Sequence, residues 1–127
     1  MTIKKTRHAV YNINYHLVWC PKYRKKILVG KVKEIVEQVI RQTCEEFDWE
    51  LLELSIQADH VHMFVSVPPV WSPMLVVKTI KGRSGRKAIK EKRYAEKFWS
   101  PSYYVGTGGH VSEKTVQQYI QNQKEEA

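Results

Sequence analysis

The sequence contains little cysteine, since Cys20 and Cys44 are the only two among its 127 residues. Their spacing matches none of the cysteine and histidine patterns that bind zinc. We expect two reduced thiols that are mostly buried, which is the usual state of isolated cysteines in the cytosol. The cysteines therefore indicate neither a zinc site nor a redox function.

Long apolar runs are also missing from the chain. No stretch approaches the roughly 20 apolar residues that a membrane-spanning helix needs. Residues 1–7 carry charge, but no apolar stretch of the signal-peptide type follows them. We therefore expect a cytoplasmic protein with no membrane segment.

The chain has no internal repeat, low-complexity tract or linker that would divide it. A length of 127 residues suits one domain with a modest hydrophobic core. We therefore expect residues 1–127 to form a single domain.

Acidic residues are in deficit, because 13 Asp and Glu face 21 Lys and Arg, which gives a net charge of +8. Such an excess favours a polyanionic partner. Nucleic acid is the leading candidate for that partner, and an anionic membrane surface is the alternative.

Hydrophobic periodicity predicts seven elements, in the order strand, helix, strand, strand, helix, strand, helix. Alternation predicts strands over residues 11–20, 50–56 and 59–67, and helical spacing after Gly30 predicts the clearest helix. The first six elements read βαββαβ, which is the ferredoxin-like α+β arrangement. In this arrangement helices cover one face of an antiparallel sheet, and we expect the other face to be free. RNA-recognition modules share the layout, so the fold alone does not choose a function.

Capping residues predict where the second long helix and the final helix begin. Ser72, followed by a proline, is a suitable N-cap for the second helix, and Ser112 is a suitable N-cap for the final one. Gly82 and Gly85 lie inside the second helix and could break or kink it.

The final helix has few apolar residues, because its apolar stripe contains little beyond Val116 and Ile120. A helix with so narrow a stripe needs another surface, or else it moves. Residues 106–109 read Gly-Thr-Gly-Gly, and we expect a flexible connector there with Gly108 and Gly109 as its hinge.

Two histidines occupy one face of the strand predicted over residues 59–67. Successive strand residues alternate, so His60 and His62 lie opposite a uniformly apolar face that must meet the core. The imidazoles then emerge on the open face, close enough to bind one divalent ion. Asp59 could accept a hydrogen bond from a ligating imidazole, or it could be a turn residue. A surface pair that binds no metal is the competing interpretation.

Tyr119 and Gln123 lie four residues apart on the final helix and share one of its faces. In the functional interpretation the Tyr119 hydroxyl lies beside a phosphate, and Gln123 is a third, oxygen ligand for Mg²⁺ or Mn²⁺. In the ordinary interpretation Tyr119 packs and Gln123 is solvated. For an isolated pair of this kind the ordinary interpretation is the commoner one.

Basic residues cluster after residue 21 and from residue 78 onward, where glycines interleave with arginines. They favour a phosphate-binding surface over a merely solvated helix face. The candidate nucleic-acid contacts are Lys22, Arg24, Lys78, Lys81, Arg83, Arg86 and Lys87. Four aromatic residues could stack on bases, although packing in a core is commoner: Trp71, Trp99, Tyr103 and Tyr104.

Several separated segments resemble the single-tyrosine HUH transposases, the TnpA-type enzymes of small insertion sequences that move as single-stranded DNA. The resemblance covers nearly the whole chain, and the segments follow one another in the family's order. They are residues 15–24, 59–63, 81–84, 98–101, 111–113 and 119–123.

The resemblance implies a reaction and an assembly. Tyr119 would attack a DNA phosphodiester and form a 5′-phosphotyrosine bond, while His60, His62 and Gln123 would hold Mg²⁺ or Mn²⁺. It also implies a homodimer whose active sites combine the histidines of one subunit with Tyr119 of the other. The expected substrate is single-stranded DNA that carries hairpins.

Two other functions remain as hypotheses. One is a non-catalytic module that binds single-stranded nucleic acid, but His60 and His62 take the positions where such a module would place aromatic residues. The other is a domesticated relative that cuts repeat hairpins of its host and mobilises no element.

Overall fold

A computed structural model describes residues 3–5, 9–92, 98–107 and 112–123. Its strands are β1 (Lys4–Lys5), β2 (Val10–Tyr11), β3 (Asn14–Trp19), β4 (Glu50–Gln57), β5 (His60–Ser66) and β6 (Tyr104–Thr107). Its α-helices are α1 (Gly30–Glu46), α2 (Pro73–Lys92) and α3 (Glu113–Gln121), and a short 3₁₀ turn covers Lys22–Arg24. That residues 1–127 form one domain stays a prediction.

Four strands form one antiparallel sheet in the order β4-β5-β3-β6. With α1 between β3 and β4, and α2 between β5 and β6, this is the predicted ferredoxin-like βαββαβ arrangement. Strands β1 and β2 pair separately as a two-stranded sheet. Within the described residues, no helix is long and apolar enough to cross a membrane.

The core lies between one face of the sheet and the two long helices. Alternate residues of the strands form the sheet's side of the core. The largest fully buried side chains on that side include Leu17, Trp19 and Met63. Helix α1 contributes Val36 and Ile40 from its apolar stripe. The apolar face predicted for β5 is therefore confirmed. The polar residues that alternate with these apolar residues lie on the opposite face of the sheet.

The first predicted strand is wrong in extent, because residues 11–20 do not form one continuous strand. Strand β2 ends at Tyr11 and β3 begins at Asn14. Between them the Asn14 side-chain nitrogen donates to the Asn12 side-chain oxygen at 2.7 Å. Local bonds of this kind compete with strand pairing, and the chain leaves one sheet for the other at this point.

Helix α2 begins as predicted, since the Leu75 amide donates to Ser72 Oγ at 3.1 Å. Gly82 and Gly85 do not break it, because the helix continues to Lys92. A Cβ atom at Gly85 would lie 3.5 Å from the Trp99 ring. Gly85 therefore lies in ordinary packing contact with residues 98–99, inside a continuous helix.

The prediction of a flexible connector over residues 106–109 is wrong for its first two residues. Gly106 and Thr107 belong to β6, where Thr107 pairs with Tyr15 of β3. A Cβ atom at Gly106 would lie 2.8 Å from the Tyr104 hydroxyl, so the missing side chain makes room for that ring. Gly108 and Gly109, the predicted hinge, lie outside the described residues.

The second face of the sheet is not free, because α3 lies on it. Its two buried apolar residues, Val116 and Ile120, pack on Val18 and Cys20. Ser112 caps the helix as predicted, with its Oγ accepting from the Thr115 amide at 3.1 Å. The narrow apolar stripe is therefore used against the chain's own sheet.

Candidate active site

The histidine pair lies on the face of the sheet that α3 partly covers. His60 and His62 are both half-buried on β5 and line a cavity of about 740 Å³. From α3, Glu113, Val116 and Gln117 reach the same cavity. The remaining lining residues are Lys26, Ser55, Gln57, Ala58 and Asp59.

Asp59 holds the first of the two imidazoles. Its Oδ1 lies 2.9 Å from His60 Nδ1, and Asp59 itself belongs to the turn between β4 and β5. Asp59 is thus a turn residue that also bonds to His60, while metal ligation by that imidazole stays a prediction. A carboxylate in this position favours the proton on Nδ1 and leaves Nε2 of His60 for another partner.

The second imidazole is held in its neutral form. Burial lowers the pKa of His62, and the nearby imidazole of His16 lowers it further. A neutral imidazole is the form that binds a metal ion. His62 therefore fits a divalent cation in its chemistry, and it lines the same cavity as His60.

Tyr119 is held by a different part of the fold. Its hydroxyl lies 2.9 Å from Ser102 Oγ, and its ring centroid lies 6.1 Å from that of Tyr104. Burial raises the pKa of Tyr119, and the Ser102 hydrogen bond offsets part of that effect. In this position the phenol is protonated at neutral pH, so it is not activated as a nucleophile.

Strand order separates Tyr119 from the histidines of the same chain. Val18 of β3 pairs with His62 on one side and with Tyr104 on the other. His62 and Tyr104 are therefore two strand spacings apart, which is about 10 Å. Tyr119 lies against Tyr104, so the structure does not bring it together with the histidine pair.

The prediction that Gln123 shares a helix face with Tyr119 is wrong, because α3 ends at Gln121 and Gln123 lies beyond it. Its side-chain nitrogen still donates to the Tyr119 carbonyl oxygen at 3.2 Å, which ties the amide to the end of the helix. Among the residues that the structure describes, no group of three or more His, Cys, Asp and Glu side chains could hold a metal ion. His60 and His62 are therefore two candidate nitrogen ligands in one cavity, and Gln123 as a third ligand stays a prediction.

Comparison with known proteins assigns the family. The family described as "Transposase IS200 like" matches residues 9–123. The ISDra2 transposase TnpA of Deinococcus radiodurans is 33% identical over 97% of this chain and 92% of its own length. The transposase for insertion sequence element IS200 of Salmonella typhimurium is 34% identical over 97% of this chain and 84% of its own length. The chain belongs to the IS200-like transposase family.

Solved structures agree with the fold of this IS200-like transposase. A crystal structure of a protein from Deinococcus radiodurans R1, assigned as a transposase, has a TM-score of 0.80 and 34% identity. It covers 95% of this chain and 98% of its own. A REP-associated tyrosine transposase bound to a REP hairpin has a TM-score of 0.61 over 94% of this chain and 68% of its own. At 12% identity that second likeness shows the fold alone.

The predicted nucleic-acid contacts of the transposase differ in their surroundings. Lys78, Arg86 and Lys87 are exposed on α2. Arg83 instead makes a two-point ion pair with Glu46, at 3.0 and 3.1 Å. Two other cations have intramolecular contacts: Lys22 lies over the Tyr23 ring, and Arg24 donates to the Ile120 carbonyl.

Lys81, another predicted contact, is half-buried and bonds to the chain itself. Its ammonium donates to the carbonyl oxygens of Ser100 and Ser102, at 2.6 and 2.8 Å. Burial lowers the pKa of Lys81 to about 8. Because Ser102 also bonds to Tyr119, Lys81 supports the segment that holds the tyrosine.

We expect Lys81→Met to lower the free energy of unfolding by about 1–3 kcal/mol, because two half-buried carbonyl groups lose a charged donor. Lys78→Met, three residues earlier on the same helix, should leave the stability unchanged because Lys78 is exposed. Urea unfolding of both variants at pH 7 measures the difference. Equal stability of the two variants would contradict the structural role of Lys81.

The two tryptophans predicted as possible stacking residues pack against other side chains of the fold. Trp99 is 6% exposed and donates to Ser84 Oγ at 3.0 Å. The Trp71 ring packs against Phe47 and Trp49, with centroid distances of 4.9 and 4.8 Å. The ordinary interpretation of these tryptophans is therefore confirmed, as is the burial of both cysteines.

Sequence reasoning missed three residues near the site. No local sequence pattern marks Ser102 as a site residue, because only the docking of α3 brings it to Tyr119. Gln117 reaches the histidine cavity for the same reason. His16 had a weak signal, since alternation places it on the polar face of β3, but only the strand register brings it beside His62.

Proposed function

We propose that the chain cuts and rejoins single-stranded DNA at the ends of an insertion sequence, with Tyr119 as the nucleophile. Membership of a transposase family supports the activity class. The observation that carries the proposal is the placement of His60 and His62 in an open cavity on the sheet face where α3 lies. A phosphate can reach the histidines from solvent, and the helix that carries the tyrosine docks on the same face.

The proposed reaction begins with attack of the Tyr119 oxygen on the phosphorus of a DNA phosphodiester. The bond from phosphorus to the 3′ oxygen breaks, so the phosphate stays on the tyrosine as a 5′-phosphotyrosine. The phenolic proton leaves as the new bond forms, and the released 3′ oxygen takes up a proton. Attack by another 3′ hydroxyl reverses the sequence and joins two strands without ATP.

His60 and His62 would hold Mg²⁺ or Mn²⁺, with an amide oxygen such as that of Gln123 and the phosphate oxygens as further ligands. Such a cation supplies electrostatic stabilisation of the phosphate and of the departing oxygen. Asp59 orients the His60 ring toward this position through its bond to Nδ1.

The separation of Tyr119 from the histidines supports an active site that two subunits share. Among the described residues, α3 is held on its own sheet by Val116 and Ile120, by the bond between Ser102 and Tyr119, and by the bond from Arg24 to the Ile120 carbonyl. A partner's α3 could use the equivalent contacts, because exchange of an identical element between protomers costs little. In the homodimer we propose, Tyr119 and Gln123 of one chain serve the histidine pair of the other.

The proposed substrate is single-stranded DNA that folds into hairpins. The REP-associated tyrosine transposase that shares this fold is bound to a REP hairpin. Exposed cations on α2 can bind the phosphates of such a hairpin. A purely binding module is not favoured, because two histidines and a docked helix occupy the sheet face that would stack bases.

A denaturing gel tests the proposal. The DNA is a labelled single-stranded hairpin with its flanks, taken from the sequences on either side of the chain's own gene. With Mg²⁺ we expect a labelled band at the mass of protein plus DNA, and with EDTA we expect none. A failure to form the adduct on either flank would overturn the proposed reaction, while adduct formation in EDTA would overturn the metal.

Hairpin binding should depend on the exposed cations and not on Arg83. Log K falls as log salt rises, and replacing Lys78, Arg86 and Lys87 together by Gln is expected to reduce the magnitude of this negative slope by about 2 to 3. Arg83→Gln, the matched control, should leave that slope unchanged because Glu46 already pairs with the guanidinium. Fluorescence anisotropy at several salt concentrations measures both slopes, and an equal effect of the two changes contradicts the assignment.

A further inference from the structure

A third histidine lies beside the pair, on the neighbouring strand. His16 of β3 is paired directly opposite Phe64, two residues beyond His62 on β5. Residues diagonal to each other on one sheet face remain within reach of long side chains. The His16 Nδ1 atom lies 3.2 Å from His62 Nε2.

Packing fixes the orientation of the third ring. His16 is 4% exposed, and its ring stacks on that of Phe64 with a centroid distance of 3.9 Å and an interplanar angle of 6°. A ring held face to face on a buried phenylalanine has little freedom to turn. Its Nδ1 atom is therefore a fixed partner for His62.

We propose that His16 is a positioning residue that holds His62 with its proton on Nε2, so that Nδ1 of His62 is the atom presented to a cation. This inference rests on the proposed metal site. The bond between the two rings needs one proton, and a donor at His62 Nε2 with an acceptor at His16 Nδ1 satisfies it. The opposite assignment would put the proton on His62 Nδ1 and leave that ring without a lone pair for a metal.

The two histidines on β5 then have complementary supports. Asp59 accepts from Nδ1 of His60 and leaves Nε2 for the cation. His16 accepts from Nε2 of His62 and leaves Nδ1. The supports come from a turn at one end of the strand and from the neighbouring strand, so each fixes a different ring. Partners of this kind set the tautomer of a ligating histidine, and their removal weakens metal binding by about 10- to 100-fold.

Two substitutions separate the hydrogen bond from the packing. His16→Phe keeps a ring that can stack on Phe64 but removes the acceptor. His16→Asn loses the ring but keeps an oxygen at the position of Nδ1. With Mn²⁺ alone as the probe, and the free ion counted by electron paramagnetic resonance, we expect His16→Phe to bind about 10- to 100-fold more weakly than the native chain. His16→Asn should stay within about threefold of native affinity, because the acceptor remains.

Nitrogen chemical shifts of the histidine rings test the tautomers in the native, metal-free chain, so this test needs no variant to fold. We expect the proton on Nε2 of His62 and on Nδ1 of His60. A proton on Nδ1 of His62 would overturn the inference. So would native Mn²⁺ affinity in His16→Phe, or equal weakening in both His16 variants.

His60→Ala distinguishes failure of the inference from failure of the metal site. If His60→Ala binds Mn²⁺ as tightly as the native chain, the metal site is wrong and the inference is wrong with it. If His60→Ala loses binding while His16→Phe keeps it, the metal site stands and only the role of His16 is wrong.

Discussion

Tyr119→Phe is expected to abolish the covalent protein–DNA adduct, a loss on the order of 10³-fold or more, because the substitution removes the only atom proposed to attack the phosphate. The phenylalanine ring keeps the packing against Tyr104 and loses only the bond to Ser102. Binding of the hairpin should therefore stay near the native value. The adduct is measured on denaturing gels and the binding by anisotropy with the same DNA.

Ser102→Ala is the matched control for Tyr119→Phe. Both changes remove the same hydrogen bond, but only one of them removes the nucleophile. The Ser102 variant should still form the adduct. If Tyr119→Phe cleaves and attaches to DNA as the native chain does, then another residue is the nucleophile and the proposed reaction is wrong.

Two inactive chains are expected to restore activity when they form a heterodimer. One chain carries Tyr119→Phe and the other carries His60→Ala, and two different affinity tags allow the mixed dimer to be isolated. If active sites are shared between subunits, one of the two sites combines intact histidines with an intact tyrosine. We therefore expect about half of the native adduct yield per dimer, although each homodimer gives none.

The reciprocal dimer makes this test decisive. Here one chain carries both substitutions, Tyr119→Phe and His60→Ala, and the other chain is native. Shared sites then each contain one defect, so we expect no adduct. Sites built within one chain predict the reverse, with activity in this dimer and none in the first. The strand order favours sharing, because β3 lies between the strand of the histidines and the strand beside Tyr119.

Local signals in the sequence predicted the parts of the fold that depend on neighbours along the chain. Alternation placed the histidines opposite the core, and the apolar spacing after Gly30 predicted α1. Ser72 and Ser112 were correct as helix caps, because a cap bonds to amides within its own first turn. Each of these features involves residues only a few positions apart.

The wrong predictions concern contacts between residues far apart in the chain. Gly85 suggested a break in α2, but the Trp99 ring packs against it. Phosphate binding by Arg83 stays a prediction, but its ion pair with Glu46 on α1 was not foreseen. Neither partner has a fixed spacing from the residue it contacts, so no periodic pattern could reveal the contact.

The sequence by itself determined the chemistry that is present: two imidazoles on one strand face, a tyrosine on the final helix with a glutamine just after it, and an excess of cations. Only the tertiary structure decided that Tyr119 lies over β6 while the histidines lie on β5. The physical reason is that periodicity fixes the direction of a side chain relative to its own strand or helix. The lateral order of the strands and the place where a helix docks depend on packing summed over the whole chain.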